Sequence, residues 1–146
     1  MKNTLVILLS FIACSASAQV SFNTGNVELD RDLNTINTNA SADFRSFKSE
    51  LSISYNVSEK KIEYMKGTLN MAFGEIYLAL EISKLSKTPI DNVIAIYKSN
   101  KSKGWGYIAK EAGIKPGSAE FHQMKNNASS QKNKNKGKGN GKGKKI

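Results

Sequence analysis

Eight lysines crowd the last stretch of this chain: Lys125, Lys132, Lys134, Lys136, Lys138, Lys142, Lys144 and Lys145, with no acid among them. Spaced by Asn and Gly, they repel one another and have nothing apolar to bury. The composition therefore predicts a solvated, disordered tail over residues 126–146. Ammonium groups without Arg or aromatic neighbours bind polyanions non-specifically, and if all eight met duplex phosphates the log-log salt slope would approach roughly −7. A purely solubilising tail is the competing reading.

Elsewhere the residues that could do chemistry are scattered. Trp105 lies between Gly104 and Gly106, where an aromatic platform could contact a sugar or a base, but it also falls on an apolar stripe that reads as a core anchor. His122 is the only histidine, so no multi-histidine metal site is available. Glu75 and Glu81 sit six residues apart on one predicted helix, hence on different faces, which is wrong for a paired acid and base. There is no Gly-rich phosphate loop after a strand and no Ser/His/Asp arrangement. No catalytic, cofactor-binding or metal-binding residue is assigned, and the expectation is a protein that is not an enzyme and carries no cofactor.

The formal charge of +10 is unevenly placed. Residues 19–121 hold thirteen Lys and Arg against all twelve acids, a balance of +1, while the eight lysines above are unopposed. The expectation is a nearly neutral domain with a polycationic extension. At the other end, Lys2, an apolar run from Leu5 to Ala13 and Ala16-Ser17-Ala18 before Gln19 have the order of a cleavable secretory signal over residues 1–18. The run is too short to span a hydrocarbon core of roughly 30 Å. Export to the periplasm or beyond the cell follows. Lipoprotein processing at Cys14 is the alternative, weakened because Phe11 stands where such a signal places Leu. After cleavage at Ala18 no cysteine remains, so neither disulfide nor thiol chemistry is expected.

These residues must be positioned by helices. Residues 19–40 are rich in Asn and Thr, with Val20, Phe22, Val27, Leu29, Leu33 and Ile36 at no clean period. They predict a loosely ordered N-terminal segment with at most a short helix near Asp30 to Ile36. Phe44, Phe47, Leu51 and Tyr55 recur at three and four after a possible Ser41 cap, predicting a helix; alternation of Leu51, Ile53, Tyr55 and Val57 leaves a strand as the rival. Ser58 reads as the next cap, with Val57 and Ile62 as a hydrophobic staple. Phe73 to Leu85 is apolar nearly all round and predicts the most buried helix. Thr88-Pro89 with Asp91 signals another start, Gly113 a C-cap, and Pro116 a last short helix holding Phe121 and Met124.

An offset of 32 pairs Ile62 with Ile94, Lys66 with Lys98, Gly74 with Gly106, Ile76 with Ile108 and Ile82 with Ile114. Phe73 meets Trp105 in the same register. The physical reading is two related helix-loop-helix units that close on each other, neither able to bury its stripe alone. The predicted fold class is all-α: a bundle of five or six short helices over residues 41–125. The segment from Ile90 to Met124 has the texture of a helix-turn-helix, whose groove-reading residues would be Ser118, Glu120, Gln123 and Lys125. That face holds an acid and no Arg, so helix packing is the simpler use.

The stretch GWGYIAKEAGIKPGSAEFH, preceded by PIDNVIAIYKSNK and by LNTINTNASADF, resembles a family of small exported proteins, chiefly from the Bacteroidota, that end in Lys/Gly/Asn-rich tails. The resemblance covers most of the chain after residue 18. It implies this architecture and export, and it implies no activity and no functional residue. The reading is an exported, monomeric structural or interaction module whose tail binds envelope phosphates, acidic glycans or extracellular DNA. The alternative is a nucleic-acid-binding protein using the helix-turn-helix-like domain.

Overall fold

The computed structural model describes residues 19–134; the signal-like residues 1–18 and the lysines from Lys136 onward lie outside the described residues. The described residues are all-α. They form α1 (Val27–Ala42), α2 (Phe44–Tyr55), α3 (Glu59–Gly67), α4 (Phe73–Ser86), α5 (Ile90–Asn100), a 3₁₀ turn (Lys101–Lys103), α6 (Trp105–Glu111) and α7 (Ala119–Lys134).

The central helix is α4, in which every residue from Ile76 to Ile82 is buried. Helices α1, α2, α3, α5 and α7 all pack against it, and α6 rests on α5. Apolar side chains on nearly all sides make such a helix stable only when surrounded. Its first turn is closed by Glu75, whose Oε1 accepts from Ala72 N at 3.0 Å, and by Asn37 of α1, whose Oδ1 accepts from Gly74 N at 3.3 Å.

Residues 19–40 depart from the expectation of loose order. Asn26 caps α1 by accepting from Leu29 N at 2.9 Å, and Glu28 and Asp30 favour the positive end of the helix dipole. Leu29, Leu33, Ile36 and Ala40 then fall at steps of four, three and four and are all buried. Ala40 completes a helical stripe that the Asn and Thr residues between obscure. The low helix propensity of those residues is overridden by packing against α4 and α7.

The cap of α2 also differs. Asp43, not Ser41, accepts from Ser46 N at 3.1 Å, while Ser41 lies in the last turn of α1 and donates to Thr38 O. The rival strand over Leu51–Val57 is not formed: Ile53 is 83% exposed, so the alternation has no buried face to serve. Ser58 caps α3 as expected, and Ile62 is fully buried. Helix α5 begins one residue after Pro89, whose carbonyl accepts from Asn92 N. Thr88 is occupied otherwise, donating its hydroxyl to Ala112 O at 3.1 Å. Gly113 ends α6 in a left-handed conformation (φ 106), with Ile114 N donating to Ala109 O at 2.8 Å.

The largest difference lies at the C-terminal end. The expected short helix is 16 residues long, starts at Ala119 rather than Pro116, and continues to Lys134. The folded body therefore spans residues 19–134 rather than 41–125, and the first part of the predicted tail is helix. Met124, Ala128 and Gln131 form its buried stripe, a pattern too thin and polar to stand out in sequence.

The 32-residue repeat coincides with the elements: α3 and α4 form one helix-loop-helix unit, α5 and α6 the other. Both paired glycines occupy the second position of their unit's second helix, and both are crossed by the segment before α1. A Cβ at Gly74 would lie 2.6 Å from Phe22 Cζ and 2.8 Å from Leu33 O; one at Gly106 would lie 2.8 Å from Thr24 O. The arm is held there. Its Phe22 O accepts from Trp105 N at 2.9 Å and its Asn23 O from Gly106 N at 3.0 Å, satisfying the first two free N–H groups of α6. Asn34 exchanges two hydrogen bonds with the Val20 backbone, and Thr24 is bonded to Asp30 through both N–H and hydroxyl.

Ala at Gly74 or Gly106 must push this arm away, and either substitution should cost about 1–3 kcal/mol in urea unfolding. Gly67→Ala, with nothing within 4 Å of the added carbon, should be neutral or stabilise by up to about 1 kcal/mol. Equal effects at the three positions would contradict the seating of the arm.

Candidate functional site

Three of the eight candidate polyanion-binding lysines belong to α7, and each faces a carboxylate. Lys125 Nζ lies 3.5 Å from Glu28 Oε2, Lys132 is bonded to Asp32, and Lys134 Nζ lies 3.2 Å from Glu50 Oε1. Gln131 Nε2 also donates to Glu50, and Asn39 Nδ2 to Lys132 O. These cations attach α7 to α1 and α2. Their quality differs: Asp32 is 2% exposed, whereas Glu28 and Lys134 are open to solvent, where screening leaves little net gain. The other five, Lys136, Lys138, Lys142, Lys144 and Lys145, lie outside the described residues.

Trp105 is not an exposed platform. It is 3% exposed and stacks on Tyr97 with ring centroids 5.2 Å apart. Its Nε1 donates to Glu75 Oε2 at 2.9 Å, which is why a buried indole is tolerated here. Glu75 thus joins the start of α4 to the start of α6. His122 is exposed.

Glu81, the only acid among the buried residues of α4, lies in a separate network. Its oxygens accept from the Tyr55 hydroxyl and, at 2.9 Å, from Asn127 Nδ2, so α2, α4 and α7 meet on one carboxylate. A polar cleft of about 230 Å³ opens beside it, lined by Tyr77, Lys84, Ser130 and Lys134 among others. Burial, then the Tyr77 phenol and Glu81, raises the Tyr55 hydroxyl far above the ordinary phenol range; burial, then Glu81, does the same to Tyr77 against the opposing hydrogen bond with Tyr55, and burial and Glu75 raise Tyr97. Such groups hold their protons and do no acid–base work near neutrality.

The groove-reading alternative requires α7 to project from α6. Instead α7 packs on α1 and α4, and Lys125, one of its four candidate contacts, is directed toward Glu28. Glu120 and Gln123 are exposed, and Ser118 caps α7 by accepting from Phe121 N at 3.2 Å.

One charged feature escaped the sequence reading. Lys98, Lys101 and Lys103 are exposed at the corner between α5 and α6, and none makes an ion pair among the described residues. The Lys101 ammonium lies 5.4 Å from the Tyr97 ring centroid and that of Lys103 lies 4.5 Å from that of Tyr107. Averaging charge over the whole domain hid this corner; counting it by unit reveals it. Comparison of the chain with family models, with curated proteins and with solved structures finds no match.

Lys132→Ala leaves Asp32 buried without its cation and should lower stability by about 2–4 kcal/mol, while Lys125→Ala should cost less than about 1 kcal/mol. Urea unfolding of the two variants checks this order. A second expectation concerns high pH. Unfolded phenols ionise near 10 and the three buried ones do not, so deprotonation favours the unfolded chain. Stability should be full below about pH 10 and fall above it, with Tyr55, Tyr77 and Tyr97 ionising only as the protein unfolds. Ultraviolet titration followed beside circular dichroism tests the coincidence; smooth ionisation of all five tyrosines in the folded protein would contradict it.

Proposed function

We propose that this protein is an exported, non-enzymatic interaction module that adheres to polyanions, such as envelope phosphates, acidic glycans or extracellular DNA, through its C-terminal lysines. The observation that carries this reading is the partition of charge. The lysines of α7 are opposed by carboxylates of α1 and α2, whereas the sequence from Lys136 to Lys145 holds five lysines and no acid. A run of cations with no acid of its own suits a polyanion, and binding by such spaced lysines is governed by counterion release. The packing of α7 on α1 and α4 weighs against the groove-reading alternative.

The predicted salt dependence changes accordingly. Replacing the five lysines from Lys136 to Lys145 by Gln in the full chain should make the log-log salt slope for a heparin or duplex ligand shallower by about 4 to 5. Elution from heparin and DNA resins at unchanged salt would overturn the reading.

A further inference from the structure

The two helix-loop-helix units provide an internal comparison. In the first, positions 66, 69 and 71 lead into α4 as Lys66, Leu69 and Met71; Leu69 is packed against the core and Met71 is fully buried. Thirty-two residues on, the equivalents leading into α6 are Lys98, Lys101 and Lys103, all exposed. The same unit is built with apolar residues at two of these places, so the fold does not demand lysine there. The dipole at the C-terminal end of α5 favours Lys98, but Lys103 lies beyond that helix.

Charge accumulates in this unit alone. Residues 90–117 hold five lysines against Asp91 and Glu111. Asp91, at the far end of α5, is already engaged by Lys61 at 2.6 Å, and Glu111 is at the far end of α6. Glu75, which reaches the start of α6, is bonded to Trp105, and none of the three corner lysines makes an ion pair among the described residues.

We propose that Lys98, Lys101 and Lys103 form a contact for the sugar–phosphate backbone of duplex nucleic acid, read through charge and without base recognition. The proposal rests on the polyanion reading above for its class of partner and places a second contact on the folded body. Helical rise puts successive lysines roughly 4–5 Å apart along the chain. Three cations within one short corner suit a dense polyanion, and duplex DNA presents one charge per about 1.7 Å of axis. Bases are not engaged, because Trp105 is buried and Tyr107 is half-buried beside Lys103. Nor does the backbone contribute, since Phe22 and Asn23 carbonyls already occupy the first N–H groups of α6. The contact is made by side-chain ammonium groups, which predicts sequence-independent binding.

The test uses the full chain and a short duplex of random sequence, with affinity read by fluorescence anisotropy over a salt series. The triple variant Lys98→Gln, Lys101→Gln, Lys103→Gln should bind roughly tenfold more weakly or worse near 0.1 M salt, with a slope shallower by about 2 to 3. A control removing equal charge elsewhere, Arg45→Gln, Lys60→Gln, Lys87→Gln, should change the slope by less than about 1. Replacement of the three corner lysines by Arg should retain binding. Equal losses in the corner and control variants overturn the proposal, as does a corner-dependent loss toward polygalacturonate that leaves duplex binding intact. Loss on replacing Lys136 to Lys145 with no effect of the corner variant also overturns it while leaving the tail reading standing; loss in the corner variant alone supports it and removes the tail.

Discussion

A chain segment crosses the starts of two helices at positions where neither helix can carry a Cβ. Gly74 admits the Phe22 ring and Gly106 admits the Thr24 carbonyl, and from this close approach much of the arrangement follows. With the arm laid down, Phe22 fills the core beside α4, and its carbonyl and that of Asn23 cap α6, which has no side-chain cap of its own. The arm's course then fixes the entry of α1 through Thr24, Asp30 and Asn26. Helix α1 in turn offers Glu28 and Asp32 to the lysines of α7. The first and last described segments thus depend on two missing side chains in the middle.

This connectivity divides the cations into classes that differ in what they can do. Lysines facing α1 and α2 attach α7 to the body, and the Asp32–Lys132 pair is the one whose loss leaves a buried carboxylate without its cation. Lysines at the α5–α6 corner make no ion pair among the described residues. A small domain with only packing to stabilise it gains little from exposed unpaired lysines, which repel one another. Their concentration in one unit suits a partner of opposite charge.

Much of this was legible in the sequence, for identifiable reasons. Helix α4 announces itself by a run that is apolar on every side, and the paired glycines at 74 and 106 mark the repeat because each is required sterically at the same place in its unit. Helix α1 was obscured because Asn and Thr dilute its stripe, although Leu29, Leu33, Ile36 and Ala40 keep helical spacing. Helix α7 was hidden for a related reason: its buried residues are Met124, Ala128 and Gln131, and its lysines looked like the onset of a tail. What decides their fate is which carboxylates lie across from them, a tertiary fact. The burial of Trp105 could be read from its stripe, but its bond to Glu75, thirty residues away, could not. The lysine corner fails to appear in a net charge of +1 because acids on other helices cancel it on paper, although none forms an ion pair with it among the described residues.

In this reading the lysines of the α5–α6 corner and those from Lys136 to Lys145, and not those of α7, meet the polyanion. Nuclear magnetic resonance of the isotopically labelled protein during titration with a short duplex tests it residue by residue. The account predicts amide shifts gathered at Lys98 to Lys103 and from Lys136 to Lys145, with Ser118 to Lys134 unmoved. Shifts running along the exposed face of α7 through Glu120 and Gln123, or loss of the Lys132–Asp32 contact on binding, would contradict it.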